Sequence, residues 1–407
     1  MNILYIFQYF GTPAYAGGIR AYKFAEHWQA KGHRVTILTS KAQINPEYLE
    51  AAGGRLFSKL VIDNLDVVIC NFKYEQSMSF MQRMVSFCVF ALLCSVYIML
   101  HSRYDVIYAT STPLTVGLPA LVGKIGKGIP FVFEVRDQWP RVPIEMGVLH
   151  NTIIIKILQG FEKMIYKNAG AIIVLSPGMY DGVQSVCRNT QKQISLIPNC
   201  ADTDLFHPDI SGAAIRKKYG WGEKTVFLYA GSLGWIHNVG FIVEAARRVA
   251  HIKDIHFVII GHGSAQAEIA AQIKDYKLEN IEFLGPLPKS QLPQYLAACD
   301  VSLSTITNIP VIEHNSANKF FDALAAGNPI LLNYSGWHRD IIEKHHIGYG
   351  CKLCDLDEYI YKIELMYKDR DKLKTMGKNA RRLAVTDFAR DKLALKALAA
   401  IERAAVK

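Results

Sequence analysis

The chain is poor in several features that would fix its class at once. Its eight cysteines, at 70, 88, 94, 187, 200, 299, 351 and 354 of 407 residues, form no spaced framework. That argues against a disulfide scaffold and points to a reduced, cytoplasmic setting. Only Cys351 and Cys354 stand close together. With no second pair, and despite His345 and His346 nearby, they read as buried strand cysteines rather than zinc ligands. The opening Met1-Asn-Ile-Leu-Tyr-Ile-Phe7 lacks the basic leader of a secretory signal and reads as a first strand. No low-complexity tract or short internal repeat interrupts the chain, which argues against a solenoid. Charge is sparse too: Asp, Glu, Lys and Arg make up 20% of residues, and none occurs from Met84 to Leu100.

What is present is apolar and regularly patterned. Hydrophobic residues reach 50%, enough for well-filled cores, and 407 residues suit two domains of roughly 200 each. The net charge of +10 calls for an anionic partner. The basic residues are dispersed without interleaved aromatics, so no nucleic acid is expected, while nucleotides and anionic lipid stay open. Short apolar runs at 3–7, 35–39, 106–109, 131–135 and 171–175 alternate with helical stretches. A second series runs through 225–230, 255–260, 281–284, 301–304 and 330–332. Alternating strands and helices predict an α/β fold of two Rossmann-like, doubly wound parallel-sheet domains. The expected division is 1–190, 191–386, and a final helix at 387–407 that returns to the first domain.

The uncharged segment Met84–Leu100 is close to the shortest bilayer span, about 17 residues. A true crossing would put strands of one sheet on opposite sides of a membrane, so two readings remain. In one, the helix dips into a leaflet with Phe87, Phe90 and Leu93 in lipid and Arg83, His101 and Arg103 among the headgroups. In the other it is a core helix.

Asn315-Ser-Ala-Asn-Lys-Phe-Phe-Asp-Ala-Leu-Ala-Ala-Gly-Asn-Pro-Ile330 reads as a helix that starts at an anion site. Ser316 or Asn315 is the expected cap, and the free N–H groups and dipole of the first turn favour a phosphate beside Lys319. Asp322, an acceptor-only carboxylate one turn on, suits two ribose hydroxyls. Gly327 and Pro329 end the helix.

Further motifs fall at strand ends: Tyr15-Ala-Gly-Gly-Ile-Arg20, Phe133-Glu-Val-Arg-Asp-Gln-Trp-Pro140, Tyr229-Ala-Gly-Ser-Leu-Gly-Trp-Ile-His237 and Phe283-Leu-Gly-Pro-Leu-Pro288. Ile260-Gly-His-Gly-Ser264 reads as turn chemistry first. Taken in order, the chain resembles the family 4 retaining glycosyltransferases of the GT-B fold, in the branch that builds bacterial surface polysaccharides such as O-antigen, lipopolysaccharide and capsule.

The resemblance implies two domains facing an interdomain cleft, with Gly17 and Gly18 near a donor diphosphate. Arg136 would fork onto a phosphate or carboxylate, and Asp137 would orient an acceptor hydroxyl. Many relatives carry an arginine and a lysine where this chain has Ser232 and His237, so Lys319, with Asn318 beside it, would carry more of the phosphate binding. Leu287 would pair its backbone with a uracil edge. The family's first carboxylate falls eight residues before Asp322, at His314, with Glu313 just ahead of it, and the choice between them stays open. Loss of that contact suits a deoxy or N-acetylated amino sugar.

The implied activity is retaining hexosyl transfer by front-face displacement, with Lys319 and the helix start stabilising the departing diphosphate and no metal or cofactor required. The expected partners are a UDP-linked sugar, a polyprenyl-diphosphate-linked acceptor and the cytoplasmic face of the inner membrane, held peripherally. Alternatives are a nucleotide-sugar epimerase of the same fold and a non-catalytic membrane scaffold.

Overall fold

The computed structural model describes residues 1–13, 19–51, 55–74, 78–101, 103–188 and 191–406. The chain divides into two units, one of Met1–Pro198 with Asp391–Lys407 and one of Asn199–Arg390.

The first unit runs β1 (Asn2–Ile6), α1 (Arg20–Ala30), β2 (Arg34–Ser40), α2 (Pro46–Ala51), β3 (Phe57–Ile62), β4 (Leu65–Cys70), α3 (Phe80–Leu100), β5 (Val106–Thr110), α4 (Gly117–Lys127), β6 (Phe131–Val135), α5 (Arg141–Glu145), α6 (Thr152–Asn168), β7 (Ala171–Val174), α7 (Pro177–Val186) and β8 (Ile194–Leu196). Its sheet has the order β3-β4-β2-β1-β5-β6-β7-β8. Helices cover both faces, so the central strands are unbroken apolar runs such as Ile3-Leu4-Tyr5-Ile6, fully buried. The edge strand β3 alone pairs antiparallel, with β4. The turn between them places Asp63 and Asn64 at φ 48° and 70°, the left-handed pair that a tight hairpin needs.

One face of this sheet carries Phe90 of α3, Leu121 of α4, Ile165 of α6 and Val183 of α7 in a single cluster. The helix α3 starts in a reciprocal capping box between Ser79 and Gln82. It lies close on α4 because Gly126 presents no side chain; a Cβ there would sit 2.9 Å from the Met99 sulfur. This packing corrects the expected lipid face. Phe87 and Phe90 are buried, Phe90 completely, and Leu93 packs against the core, so these three point inward. The exposed side of α3 is instead Met81, Val85, Cys88, Leu92, Val96 and Met99.

At the first unit's C-terminal boundary, the Arg20 guanidinium binds buried Glu134 at 2.8 and 3.0 Å and donates to the carbonyls of Pro198 (2.6 Å) and Ile197 (3.0 Å). The second unit contains α8 (Ala213–Tyr219), β9 (Thr225–Ala230), α9 (Gly240–Arg248), β10 (Ile255–Ile260), α10 (Gln266–Asp275), β11 (Ile281–Gly285), α11 (Leu292–Ala298), β12 (Val301–Ser304), α12 (Asn318–Ala326), β13 (Ile330–Leu332), α13 (Trp337–His345), β14 (Gly348–Gly350), α14 (Leu356–Lys368) and α15 (Arg370–Thr386). Its sheet, all parallel, has the order β11-β10-β9-β12-β13-β14. A last helix, α16 (Arg390–Ala405), belongs to the first unit from Asp391 on, where the Trp28 indole donates to the Ala394 carbonyl at 2.9 Å. All eight cysteines are free thiols.

Candidate active site

In an open α/β sheet ligands collect beyond the strand C-termini, where neighbouring strands wind in opposite directions. In the second unit that point lies between β9 and β12. The chain leaves β9 through Gly231-Ser232-Leu233-Gly234 and β10 through Gly261-His262-Gly263. Backbone bonds join the two loops, Gly231 N–H to the Ile260 carbonyl at 2.9 Å and Leu233 N–H to that of His262 at 2.8 Å. A Cβ on Gly261 would collide with the Gly231 carbonyl. The Gly-x-Gly at 261–263 is therefore spent on loop packing.

The helix α12 starts beside these loops. Its N-cap is Ala317, with no side-chain cap, which corrects the expected role of Ser316 and Asn315. Ser316 is drawn away by Asn199, whose backbone N–H donates to the serine hydroxyl at 3.1 Å. The Trp337 indole holds the Asn315 carbonyl at 2.7 Å. These bonds fix the entry of the chain, and no side chain caps the first turn.

Lys319 is half-buried at that turn. Its ammonium donates to the Tyr229 hydroxyl at 2.7 Å and lies 4.1 Å from the centre of the same ring. The Tyr229 hydroxyl donates in turn to the Ser232 carbonyl at 2.8 Å. Gly231 makes room for the lysine, since a Cβ there would stand 2.9 Å from Lys319 Cε. The ammonium meets no carboxylate among the described residues, and burial pushes its pKa down to about 7. Burial, then the charge of Lys319, pushes His237 down to about 3, so the imidazole is neutral near pH 7 and adds no cation. His237 is held through its carbonyl, which accepts from the Thr305 hydroxyl at 2.6 Å.

Asp322 faces a different neighbour. Lys289 Nζ reaches its two carboxylate oxygens at 3.2 and 3.4 Å. Beside them Asp202 pairs with Arg390 at 2.7 Å. Burial raises the pKa of Asp322 while Lys289 and Arg390 oppose the rise. Lys289 directly follows the Leu287-Pro288 turn, so the ion pair brings Leu287 and Asp322 into one neighbourhood; Leu287 packs against the core there. Glu313 accepts from the Ser335 N–H at 2.9 Å, and His314 ends the same short turn, Pro310–His314. Asn318 is exposed at the first position of α12. Among the described residues no three His, Cys, Asp or Glu side chains are grouped to hold a metal ion.

In the first unit Arg136 follows β6, with its guanidinium 5.2 Å from the centre of the Phe7 ring. Asp137 is exposed and accepts from the Thr112 hydroxyl, so the two charges have separate neighbours. Gly17 and Gly18 lie outside the described residues. Sequence reasoning passed over Tyr229 and Lys289. Their signals were a tyrosine ending the strand before Ala-Gly-Ser and a lysine just past the Leu-Pro turn.

Residues 212–383 match the family model "Glycosyl transferases group 1", and residues 17–200 match "Glycosyl transferase 4-like domain". The chain belongs to the group 1 glycosyltransferases, with two Rossmann-like domains in the GT-B arrangement of elements. It is 24% identical over 253 residues to "Probable glycosyltransferase WbjE" of Pseudomonas aeruginosa, a match covering 61% of this chain and 62% of that relative, a little under two thirds of its length. Its fold is similar to sucrose-phosphate synthase (tll1590) from Thermosynechococcus elongatus, with a TM-score of 0.75, 19% identity and coverage of 98% and 97% of the two chains. It is also similar to Anabaena Alr3699/HepE in complex with UDP, with a TM-score of 0.74, 18% identity and coverage of 99% and 100%.

Proposed function

We propose that the chain transfers a sugar, with retention of configuration, from a UDP-linked donor to a lipid-diphosphate-linked sugar in the synthesis of bacterial surface polysaccharide. The observation that carries the reading is Lys319: a half-buried ammonium at an uncapped helix start, without a carboxylate partner among the described residues, is a charge suited to an incoming diphosphate. UDP in the HepE structure supports the choice of nucleotide. Asp322, steadied by Lys289, would accept from the ribose hydroxyls, and the backbone of Leu287 would meet the base. Asn318, Ser232 and neutral His237 complete the donor set, with Glu313 or His314 toward the sugar.

In the front-face scheme the departing diphosphate takes the acceptor's proton, while Lys319 and the first-turn amides of α12 stabilise its charge. Arg136 and Asp137 are assigned to the acceptor. No metal or cofactor enters this scheme. The acceptor's lipid places the enzyme on the cytoplasmic face of the inner membrane, and the apolar outer side of α3 supports that docking. Incubation with UDP- and GDP-sugars and a lipid-diphosphate-linked sugar, read by mass spectrometry, tests the reading. A mass gain on the acceptor is expected. An isomerised donor without acceptor, or an unchanged donor, would overturn it.

A further inference from the structure

The apolar side of α3 leads to a cavity at the end of that helix. Met81, Val85, Cys88, Leu92, Val96 and Met99 follow one another at three- and four-residue steps, so they share one side of the helix, and Leu92 is 61% exposed. At the helix end, a cavity of about 630 Å³ opens among the N-terminal ends of β1, β2 and β4, the edge strand β3 and the residues after α3. It lies at the opposite ends of the strands from those that carry Arg136. Its lining combines Lys59, Arg103 and His101 with apolar Val61 and Leu100, which are 67% and 69% exposed.

The charge in this cavity is not balanced from within. Arg34 is engaged by Asp66 at 3.0 Å. Lys59 and Arg103 have no carboxylate partner among the described residues. His101 is fixed by stacking on Tyr97, 4.2 Å between ring centres, and by its Nδ1 at 3.0 Å from the Tyr97 carbonyl. Two unpaired cations beside two exposed aliphatic side chains, at the end of an apolar stripe, match the chemistry of an anionic lipid: a phosphate above, acyl chains below. A protein partner with an acidic patch would satisfy the cations but would leave the stripe running some five helical turns without a stated cover.

We propose that this cavity receives the headgroup phosphate of an anionic phospholipid, whose chains stay in the leaflet on which the α3 stripe rests. The inference depends on the membrane docking proposed above and adds a defined headgroup site to it.

Flotation of the full chain with phosphatidylcholine vesicles, with and without phosphatidylglycerol, tests both levels. Wild-type protein is expected to favour the phosphatidylglycerol vesicles. Lys59→Glu with Arg103→Glu should weaken that binding by on the order of tenfold or more, since each basic residue near an anionic surface is worth about 1 kcal/mol. Lys217→Glu with Lys218→Glu on α8 should change it little. Equal losses in the two double variants would mean a general charge effect and would overturn the headgroup site. So would an unchanged lipid preference in the cavity variant, and either result leaves the membrane docking standing. Leu92→Ser with Val96→Ser removes only exposed side chains and should abolish flotation. If that variant floats like wild type, the docking reading itself falls. It falls too if wild-type protein does not float and sedimentation shows a dimer that the serine variant dissociates.

Discussion

Lys319 and Tyr229 form a hydrogen bond of 2.7 Å between the start of α12 and the end of β9, and the same tyrosine hydroxyl continues to the Ser232 carbonyl. One phenol thus positions both the cation and the loop that faces it. Lys319→Ala should weaken UDP-sugar binding by about 1.5–3 kcal/mol, the range for a lost charge-assisted bond. Tyr229→Phe keeps the charge and loses its tether, so about 1 kcal/mol is expected. Calorimetry on folded variants checks both values, and an unchanged affinity for the alanine variant removes Lys319 from the site.

With the donor diphosphate on Lys319, the lowered pKa of this lysine should make donor binding a proton-linked event. With the free enzyme near 7, a diphosphate that raises this value must bring a proton with it at pH 8. Affinity should therefore fall as pH rises above about 7. Calorimetry in two buffers of different ionisation enthalpy should show proton uptake with a UDP-sugar, whose esterified diphosphate does not titrate in this range, and Lys319→Met should abolish it. Stability of the free enzyme should move the other way. From about 7 up to the ordinary lysine value the unfolded chain holds more protons than the folded one, so a rise in pH favours folding.

Asp322→Asn would remove the carboxylate that balances Lys289 and would add a donor where ribose hydroxyls need an acceptor. A loss of about 1–3 kcal/mol in nucleotide affinity is expected, together with loss of preference for ribose over 2′-deoxyribose. Competition binding with the two nucleotide forms measures this. A wild-type protein that binds both equally would contradict the assignment.

Arg20→Met should destabilise the chain by about 3–5 kcal/mol, because Glu134 would be left buried without its cation. Burial alone would raise the Glu134 pKa, but Arg20 and then Arg136 hold it below the ordinary value. The stability this pair contributes is present above the unfolded carboxylate range, near pH 4.3, and is lost as pH falls through the folded value. Urea melts of wild type and variant across acid pH test both sign and size.

Phe90→Ala should cost about 3–5 kcal/mol in thermal or urea melts, as a large aromatic removed from a filled core does. Leu92→Ser, two residues on, should stay within about 0.5 kcal/mol, since its side chain stands mainly in solvent. The contrast reports which side of α3 the core holds.

Most strands were legible because both faces of each sheet are covered: Thr225–Ala230, Ile255–Ile260 and Phe131–Val135 appear at the residues their apolar runs predicted. The β3–β4 hairpin was not read, although Asp63-Asn64 is a two-residue turn pair, because β3 is an edge strand of mixed burial. The orientation of α3 was beyond periodicity, since a helix apolar on all sides has no pattern to reveal its inner face. That face is set by the neighbour, where Gly123 of α4 admits buried Ile98. At the site, Lys319 and Asp322 were readable from a helix start, but their partners Tyr229 and Lys289 lie 90 and 33 positions away in sequence. Such pairings are tertiary facts that local spacing does not encode.

The interlocked turns at Gly231 and Gly261 also bear on how this enzyme can diversify. Gly261 leaves the space that the Gly231 carbonyl fills and Gly231 leaves the space that the Lys319 side chain fills, so neither loop can accept a side chain there without moving a neighbour. Changes in donor choice should fall instead in the stretch from Thr305 to Ala317, whose shape depends on replaceable side chains such as Asn333, Trp337 and Asn199. A library that varies that stretch while leaving the paired glycines untouched would explore new sugars at the least risk to folding.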